Sequence, residues 1–447
     1  MLLKASLNQK RNSEAKPDIS LKKVLIISYY WPPSGGAGVQ RWLKFVKYLP
    51  QLGWEPHIYT PSNPEAPAMD NSLEKDIPKE AIIIKRPIIE PYSFYKKFTG
   101  KKGNVNAGFL SEEKDSRKKF TEKLSIWVRG NIFIPDARVM WVKPSIKFLS
   151  NYIEKNNIEI IISSGPPHSM HLIAMALKKK KNSLKWIADF RDPWTDIDFY
   201  TDLMLSSWAD KKHHRLEKEV LQTADTVISI GETMANELAK VRGSKVEVIT
   251  NGYDEDDFNL TPTVKHNTFN IVHVGSINED RNHPIFWQAI HELIAENKEF
   301  AQRVKIHFIG KLDYSVYASI EKFKLASYIE TTSYIPHNEI VTHLSQANVL
   351  YLPLNNTPNT KGILSGKFFE YLAMNKAIVA IGSIDGDAAQ IMRKVDAGII
   401  IDFQDLAGFK KAISLEFERR DKKLVIDSEK RKQYSRRILS EKLIKLF

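Results

Sequence analysis

Lys367 and Glu370 are the two residues whose types and spacing point most directly to chemistry. They lie three positions apart where a helix is predicted to begin, so their side chains share one helical face. A nucleotide sugar requires this combination, because its diphosphate needs cations and a helix N-terminus, and its ribose offers two adjacent hydroxyls to one carboxylate. Arg281 is the second candidate cation. An ordinary surface ion pair, worth under about 1 kcal/mol, explains the same spacing, which leaves both interpretations open.

Glycine-containing loops supply further candidates for a phosphate or sugar site. Gly35 and Gly36 follow the first predicted strand, where the missing Cβ lets a ligand approach the N–H groups of a helix N-terminus. The loop lacks the Gly-x-Gly-x-x-Gly spacing of a nicotinamide dinucleotide site, so that cofactor is disfavoured. The corresponding candidates in the second half of the chain are Gly275, Ser276, Lys311 and Gly366.

Polar residues also follow two strands of the first half. His168 comes after the strand predicted at 158–164, where it would contact a sugar or cap the following helix. Asp189, Arg191 and Asp192 end the strand predicted at 185–190. They are candidates for the acceptor side of a site, and a structural ion-pair network is the alternative.

The elements that must position these residues form a regular alternation. Residues 23–29 are a continuous apolar run, as expected of a strand buried on both faces. Further strand-like runs follow with helical patterns between most of them, and the series starts again at residue 269. This pattern predicts an α/β protein of two doubly wound, Rossmann-like domains, which bind ligands outside the carboxyl ends of their strands.

The domain boundaries follow from the same pattern. We expect a disordered tail at 1–20, an N-terminal acceptor-side domain at 21–260, a C-terminal donor-nucleotide domain at 261–420, and a helix at 421–447 that packs back on the first domain. The segment 92–150 is an insert rich in lysines and aromatics. It would lie on an anionic membrane surface, or form a solvated helical insertion whose aromatics pack on the domain.

Composition narrows the function classes. The 447-residue chain has no cysteine and a formal net charge of +13, which favours anionic partners without choosing among them. No recognised reading motif accompanies the basic residues, so nucleic acid is disfavoured. No segment approaches the roughly 18 apolar residues of a membrane span, and residues 1–20 lack the core of a secretory signal. The expected location is cytoplasmic, peripheral at the inner membrane face.

Together, the Gly35-Gly36 loop, His168, Asn251-Gly252 and the segment 365–379 resemble the family-four (group 1) glycosyltransferases of the GT-B fold. The resemblance covers roughly residues 22 to 420 and implies two Rossmann-like domains facing across a cleft. It implies retaining, hexosyl-type transfer from a UDP- or GDP-linked sugar, with no metal or other cofactor. The segment 189–194 is similar to a motif of bacterial members that build surface polysaccharides of the cell envelope, which implies a lipid-linked or glycan acceptor.

The resemblance also implies roles for residues of the second half. Glu370 would hold the donor ribose, and Arg281 and Lys367 would bind the diphosphate. Two positions depart from the family pattern: many members have a glutamate where this chain has Gly362 and an arginine where it has Ser276. The diphosphate would therefore depend more on Arg281 and Lys367, with Lys311 or Lys361 as additional cations.

In the first half, the resemblance implies that His168 contacts the transferred sugar near its reacting carbon, with His171 as the substitute one turn away. Gly35 and Gly36 would lie under the phosphate or the acceptor. Two other classes remain as alternatives: a sugar-nucleotide epimerase of the same fold, and a non-catalytic polymer- or membrane-binding relative.

Clustered aspartates raise the question of a metal site. They are Asp196 and Asp198, and the group Asp254, Asp256 and Asp257. Such clusters hold divalent metals in the other main glycosyltransferase fold, which has one nucleotide-binding half where this chain has two. Helix caps and turns explain them better, so no metal ligand is predicted. The donor base, the sugar and the acceptor are not determined by the sequence.

Overall fold

The structure, a computed structural model, describes residues 21–66, 69–90, 116–198, 200–258, 267–333, 335, 337–421 and 428–447. The predicted tail at 1–20 lies outside these residues. The lysine-rich first part of the 92–150 insert and most of the linker at 259–268 also lie outside them.

The first half folds around a seven-stranded parallel sheet with strand order β3-β2-β1-β4-β5-β6-β7. The strands are β1 (Lys22–Ile27), β2 (Trp54–Pro61), β3 (Ile82–Arg86), β4 (Ile160–Gly165), β5 (Lys185–Phe190), β6 (Thr226–Ser229) and β7 (Glu247–Val248). The strand order reverses between β1 and β4, so the loops after these strands border a crevice at the carboxyl edge of the sheet.

Six helices of the first half are described. They are α1 (Ala37–Tyr48), α2 (Ser116–Asn131), α3 (Val139–Lys155), α4 (Ser169–Lys180), α5 (Ser207–Thr223) and α6 (Glu232–Arg242). The described part of the predicted insert is helical, and its aromatics differ in burial. Trp141 is buried and its indole N–H donates to Tyr59 Oη at 3.2 Å, whereas Trp127 is 42% exposed.

The second half repeats the architecture with six parallel strands in the order β10-β9-β8-β11-β12-β13. These are β8 (Phe269–Val274), β9 (Val304–Ile309), β10 (Ile329–Thr332), β11 (Val349–Pro353), β12 (Ala377–Ile381) and β13 (Gly398–Ile401). Their helices are α7 (Pro284–Glu296), α8 (Lys298–Arg303), α9 (Tyr314–Lys322), α10 (His337–Ser345), α11 (Gly366–Ala373), α12 (Asp387–Lys394) and α13 (Leu406–Glu418). The fold class predicted from the alternation of apolar runs is confirmed.

Parallel strands need crossover connections, and the helices in these connections cover both faces of the sheets. Val24, Leu25, Ile26 and Ile27 of β1 are all fully buried, although successive side chains of a strand point to opposite faces. The continuous apolar run in the sequence is the signature of this double burial. Apolar side chains of both halves also join in one core, so the halves meet over packed surface.

The chain ends with α14 (Ser428–Lys432) and α15 (Arg436–Ile444). Leu439 and Leu443 of α15 pack in the same apolar cluster as Trp42 of α1. The Tyr253 N–H donates to Tyr434 O at 3.0 Å, and the Arg436 N–H donates to Tyr253 O at 2.7 Å. The C-terminal segment is thus hydrogen-bonded to Tyr253, which follows the last strand of the first half. Within the described part of the chain, no helix is long and apolar enough to cross a bilayer.

Candidate active site

Helix α11 carries Lys367 and Glu370, and its own buried residues fix it in place. Ser365 caps the helix, with its hydroxyl oxygen accepting from the Phe368 N–H at 3.3 Å. The Tyr371 hydroxyl accepts from the Val274 N–H at 2.8 Å, which ties the helix to the carboxyl end of β8. Because the aromatic side chains on the other face are buried, Lys367 and Glu370 remain on the face toward the strand ends.

The Lys367 side chain crosses the loop after β8 at Gly275. A Cβ at position 275 would lie 2.5 Å from Lys367 Nζ, and the glycine has a φ of +137°, which disfavours any L side chain. Gly310 approaches equally closely from the loop after β9, since a Cβ there would lie 2.5 Å from Gly275 O. The two loops and the lysine therefore form one close-packed unit that requires glycine at both positions.

Arg281 ends the short 3₁₀ turn Glu279–Arg281 in the loop after β8. Its Nη1 donates to Ser276 O at 3.2 Å, and its Nε donates to the buried side chain of Asn355. Arg281 thus folds back over Ser276, the position at which many members of the resembling family have an arginine. The guanidinium is held by neutral acceptors.

Burial makes both cations of this site costly. It lowers the pKa of Lys367; the Arg281 charge lowers it further, and Glu370 opposes the shift. Burial also lowers the pKa of Arg281, although Asp198 and Asp280 oppose it. Two neighbouring positive charges in a partly dry site repel each other, and an anion that binds between them stabilises both. The electrostatics therefore favour a polyanionic ligand.

Glu370 and His273 complete the second half of the site. Among the described residues, the Glu370 carboxylate has no hydrogen bond or salt bridge, so its oxygens are available to hydroxyl donors. Burial lowers the pKa of His273 to about 3, with Lys367 and Arg281 adding to the shift, so this histidine is neutral. Its Nδ1 lies 2.9 Å from Tyr351 O. Gly366 opens α11 with free space at its Cα, and Lys311 is exposed on the neighbouring loop.

In the first half, Arg191 joins three strand-end loops. Its Nη1 donates to Gly38 O at 3.1 Å, and its Nη2 donates to Pro166 O. The described residues form no salt bridge with it. Beside it, α1 begins after Gly35 and Gly36, and no cap side chain accepts from the N–H groups of its first turn, of which that of Val39 donates to Gly36 O at 3.2 Å. A guanidinium and an open helix N-terminus together make this loop cationic.

His168 lies at the start of α4 but does not cap it. Asp136 caps this helix instead, accepting from the Ser169 N–H and hydroxyl at 2.8 Å each. The His168 ring is 7% exposed and stacks on Trp194, with 4.6 Å between ring centroids. Burial lowers its pKa well below the ordinary value, and His171 and Arg191 add to the shift, so the ring is neutral.

His171 is fully buried beside it, and both rings face Gly165. Its Nδ1 lies 2.8 Å from Ser163 Oγ, while His168 Nδ1 and His171 Nε2 have no partner among the described residues. A Cβ at position 165 would lie 2.6 Å from His171 Nε2 and 2.8 Å from His168 Nδ1. The complete enclosure of His171 supports packing as its role, and His168 is the nearer of the two to solvent.

Asp189 is the anchor of this sheet edge. It is fully buried, forms a salt bridge with Arg41 at 2.8 Å, and accepts from the Trp42 indole and the Ser164 hydroxyl at 2.7 Å each. Burial alone would raise its pKa, but Arg41, Ser164 and Arg191 hold the pKa below the ordinary value. Because all of these partners belong to the protein, they support the structural ion-pair role that the sequence offered as the alternative for Asp189. Arg191 and the exposed Asp192 then remain as candidates for contact with an acceptor.

The aspartates considered as metal ligands are placed differently. Asp254 and Asp257, with Asp76, surround the Lys44 ammonium at 2.7 to 2.8 Å. The lysine charge thus occupies the space between these carboxylates. Asp198 is exposed on the loop after β5, on the side of Arg281.

Two protein-family models match the chain, one in each half. The model described as Glycosyl transferases group 1 matches residues 268–415, and that described as Glycosyltransferase Family 4 matches residues 109–257. The two matches lie in different halves of the chain, and together they support a group 1 glycosyltransferase. The Lys367, Arg281 and Glu370 constellation falls within the matched part of its second half.

Solved structures share the fold of this glycosyltransferase over nearly the whole chain. A glycosyltransferase from Rickettsia africae has a TM-score of 0.60 at 15% identity, covering 95% of this chain and 97% of its own. Sucrose-phosphate synthase from Thermosynechococcus elongatus has a TM-score of 0.61 at 12% identity, with coverage of 95% and 98%. S. aureus TarM, in complex with fondaparinux, α-GlcNAc-glycerol and UDP, has 0.57 at 10% identity, covering 95% and 99%. At these identities the likeness shows the fold, which is GT-B.

A search of curated protein sequences returned no match to this glycosyltransferase.

Three residues that shape its site were not singled out from the sequence. Arg41 holds Asp189, Asp136 caps the helix after His168, and Tyr371 ties α11 to β8. The partners of Arg41 and Asp136 lie 148 and 33 residues away along the chain, so local spacing carries no signal for them.

Proposed function

We propose that this glycosyltransferase moves a hexose or related sugar from a UDP- or GDP-linked donor to a lipid-linked or polysaccharide acceptor, with retention of anomeric configuration. The observation that carries the proposal is the convergence of Lys367, Arg281 and Glu370 at the carboxyl edge of the second sheet. Lys367 is held by packing against Gly275, and Arg281 is held by neutral acceptors. The Glu370 carboxylate has no hydrogen bond to a described residue, so all three keep bonding capacity for a ligand.

The reaction class explains why these three groups are needed. As the bond between the sugar and the diphosphate breaks, negative charge grows on the departing phosphate oxygens. Lys367 Nζ and the Arg281 guanidinium would neutralise that charge, and the N-terminus of α11 would add N–H donors and its dipole. Glu370 would accept hydrogen bonds from the two ribose hydroxyls and so place the nucleotide. Neutral His168 would contact the sugar from the first half.

We propose that no metal ion takes part in this transfer. A divalent ion would serve to neutralise the leaving diphosphate, and two fixed cations already stand at the place where it would leave. Direct evidence would be full activity of the purified protein in excess chelator. A loss of activity restored by Mg²⁺ or Mn²⁺ would overturn this part of the proposal.

The acceptor side of the proposal depends on the first half. Arg191 and Asp192 supply a cation and a carboxylate beside the Gly35-Gly36 loop, and α1 adds a helix N-terminus without a side-chain cap. The structurally similar TarM was solved with UDP and a glycan-type ligand, which supports the same classes of partner for this chain. We take a sugar hydroxyl of a growing polysaccharide or lipid-linked saccharide as the attacking group.

A membrane-facing surface would bring a lipid-linked acceptor to the site. Trp127 on α2, Ile132 after it and Trp208 on α5 are 42%, 59% and 63% exposed. The Lys212 ammonium lies 4.8 Å from the Trp208 ring centroid. Exposed aromatic and aliphatic side chains beside lysines suit an anionic lipid surface. Stronger co-sedimentation with anionic than with neutral liposomes, weakened by Trp208→Ser, is expected; equal co-sedimentation would remove this claim.

The donor proposal is tested by titrating the purified protein with UDP-, GDP- and ADP-sugars in a calorimeter. One donor is expected to bind, and Glu370→Ala should weaken it roughly 10- to 100-fold, because two hydrogen bonds to a charged acceptor are lost. Glu321→Ala, an exposed carboxylate on α9, is the matched control and should bind like the wild type. Absence of binding by every nucleotide sugar, or unchanged binding by Glu370→Ala, would reject the donor site.

A further inference from the structure

The two halves of the chain touch at the N-terminus of α6. Asp387, the first residue of α12 in the second half, is 3% exposed. Its carboxylate accepts from the Thr233 N–H, with 3.1 and 3.2 Å to the two oxygens, and from the Thr233 hydroxyl at 2.7 Å. Helix α6 begins after Gly231, which offers no side-chain cap. A carboxylate of one half thus caps a helix of the other.

Glycines allow this close approach. A Cβ at Gly231 would lie 2.3 Å from Asp387 Oδ2, so any side chain there would displace the carboxylate. Opposite it, Gly362 faces Thr233, with 3.5 Å between a Cβ built at position 362 and the Thr233 Cβ. The two halves therefore come together closely at this place, where the Asp387 carboxylate accepts hydrogen bonds from the backbone and side chain of Thr233.

The contact between Asp387 and Thr233 is directly connected to α11, the helix that carries Lys367 and Glu370 and is called the donor helix below. The 3₁₀ turn Thr360–Gly362 leads through the buried Leu364 to Ser365, which caps α11. Leu364 itself lies against Gly231, since a Cβ there would be 3.1 Å from Leu364 Cδ1. On the other side, α6 follows β6, which is hydrogen-bonded to β5, and β5 leads to Arg191. The contact therefore lies between the donor helix and the acceptor-side loops, which are the Gly35-Gly36 loop and the loop after β5 that carries Arg191.

We propose that Asp387 and Thr233 form an interdomain positioning pair that fixes the separation of the donor helix α11 from the acceptor-side loops of the first half. For its effect on turnover, the inference rests on the proposed sugar transfer. Lys367 and Glu370 belong entirely to the second half, so the pair governs the alignment of donor with acceptor and leaves donor binding unchanged. A misplacement of about 1 Å between reacting groups costs on the order of 100-fold in rate.

Spin labels measure the separation of the halves without any substrate. The chain has no cysteine, so Lys155→Cys on α3 and Lys411→Cys on α13, both exposed, would carry the only two labels. Pulsed electron paramagnetic resonance then gives the distance distribution between them. We expect Asp387→Ala and Thr233→Val to broaden or shift the distribution, and Thr233→Ser, which keeps the hydroxyl, to preserve it.

Asp385→Ala is the matched control. Asp385 lies in the same loop two residues earlier, but it is exposed and pairs with Lys361 of its own half. It should leave the distance distribution and turnover unchanged. If Asp387→Ala does not fold, Thr233→Val gives the same measurement, because it removes only the 2.7 Å hydroxyl bond and keeps the backbone bond.

A kinetic measurement separates positioning from donor binding. With UDP-glucose as the probe, and a lipid-linked or glycan acceptor present to receive the sugar on its hydroxyl, we expect Asp387→Ala to bind UDP-glucose within twofold of the wild type and to release UDP roughly 10- to 100-fold more slowly. An unchanged distance distribution in both Asp387→Ala and Thr233→Val would overturn the proposal. If the wild type bound no nucleotide sugar, the proposed function would fail, while the distance measurement would still decide the positioning pair.

Discussion

At the carboxyl edge of the first sheet, the carboxylate that ends β5 is bonded entirely to the protein itself, whereas at the edge of the second sheet the charged groups keep bonding capacity. Asp189 has a guanidinium, an indole and a hydroxyl as partners and no exposed surface. Glu370, the carboxylate at the second edge, has no hydrogen bond to any described residue.

Structural and ligand-binding charges at equivalent places in a repeated fold can therefore be distinguished by their partners. A buried charge with a full set of partners lowers the free energy of the folded state only as part of its network. A partly buried charge that has no oppositely charged side chain in contact is instead available to stabilise a complex with a ligand of opposite charge. Lys367 and Arg281 are of the second kind, since burial lowers the pKa of each.

The largest expected effect in this comparison is the loss of Asp189. Asp189→Ala leaves the Arg41 charge buried and unpaired, which should lower the free energy of unfolding by about 3 to 5 kcal/mol. Chemical denaturation followed by circular dichroism measures it. Asp192→Ala, an exposed neighbour, is the control and should change stability little. A stability of Asp189→Ala close to that of the wild type would contradict the contrast between the two edges.

Lys367→Ala should show the opposite behaviour. Removing a cation that burial disfavours should leave stability unchanged or slightly higher, while donor affinity falls about 10- to 100-fold through loss of a charge-assisted bond to the diphosphate. Calorimetry with the donor and thermal unfolding of the same sample give both quantities. Lys411→Ala, which removes an exposed lysine of α13, is the control. A large loss of stability in Lys367→Ala would make Lys367 a structural residue.

The pH dependence of donor binding sharpens the assignment of Lys367. Burial lowers its pKa from the ordinary 10.5, and only the protonated form attracts phosphate. Donor affinity should therefore be full below the folded-state pKa and decline as the pH rises through it, before an exposed lysine would titrate. Lys367→Arg should keep its affinity over the same range, because the guanidinium remains charged. Identical pH profiles for the two proteins would count against a role for the lysine charge.

The smallest expected effect is at His168. The neutral ring stacks on Trp194, which holds it in place. If this ring contacts the sugar as proposed, His168→Gln should lower kcat by about tenfold. The donor Kd should stay within about twofold of the wild type. Steady-state kinetics with matched calorimetry separate the two. His171→Gln, one turn further in, should mainly reduce stability. Full turnover by His168→Gln would exclude a catalytic role.

Local sequence was sufficient for much of the fold. The apolar runs at 23–29 and from residue 269 predicted β1 and β8, because a strand buried on both faces must be apolar at every position. The spacing of Lys367 and Glu370 predicts that they share one helical face, and the structure places both residues in α11. Their meeting with Arg281 was expected from the strand-end rule for doubly wound sheets.

The rest depended on contacts between distant parts of the chain. The sequence offered a helix cap as the alternative role of His168, and the structure gives the cap to Asp136, since any nearby carboxylate satisfies the same N–H groups. It left Asp189 open between binding and structure, and only the arrival of Arg41 from α1 decides that its charge is neutralised internally.

Periodicity and residue type are local properties, so the sequence predicts the two parallel sheets and the residues that could serve a nucleotide sugar. Which of their charges remain available depends on the tertiary structure. A charge is available when burial has removed its water and no partner has replaced it, and burial and partners are set by residues tens to hundreds of positions away. Lys367 meets that condition at the second edge, where the Glu370 carboxylate also has no partner among the described residues, and Asp189 at the first edge does not.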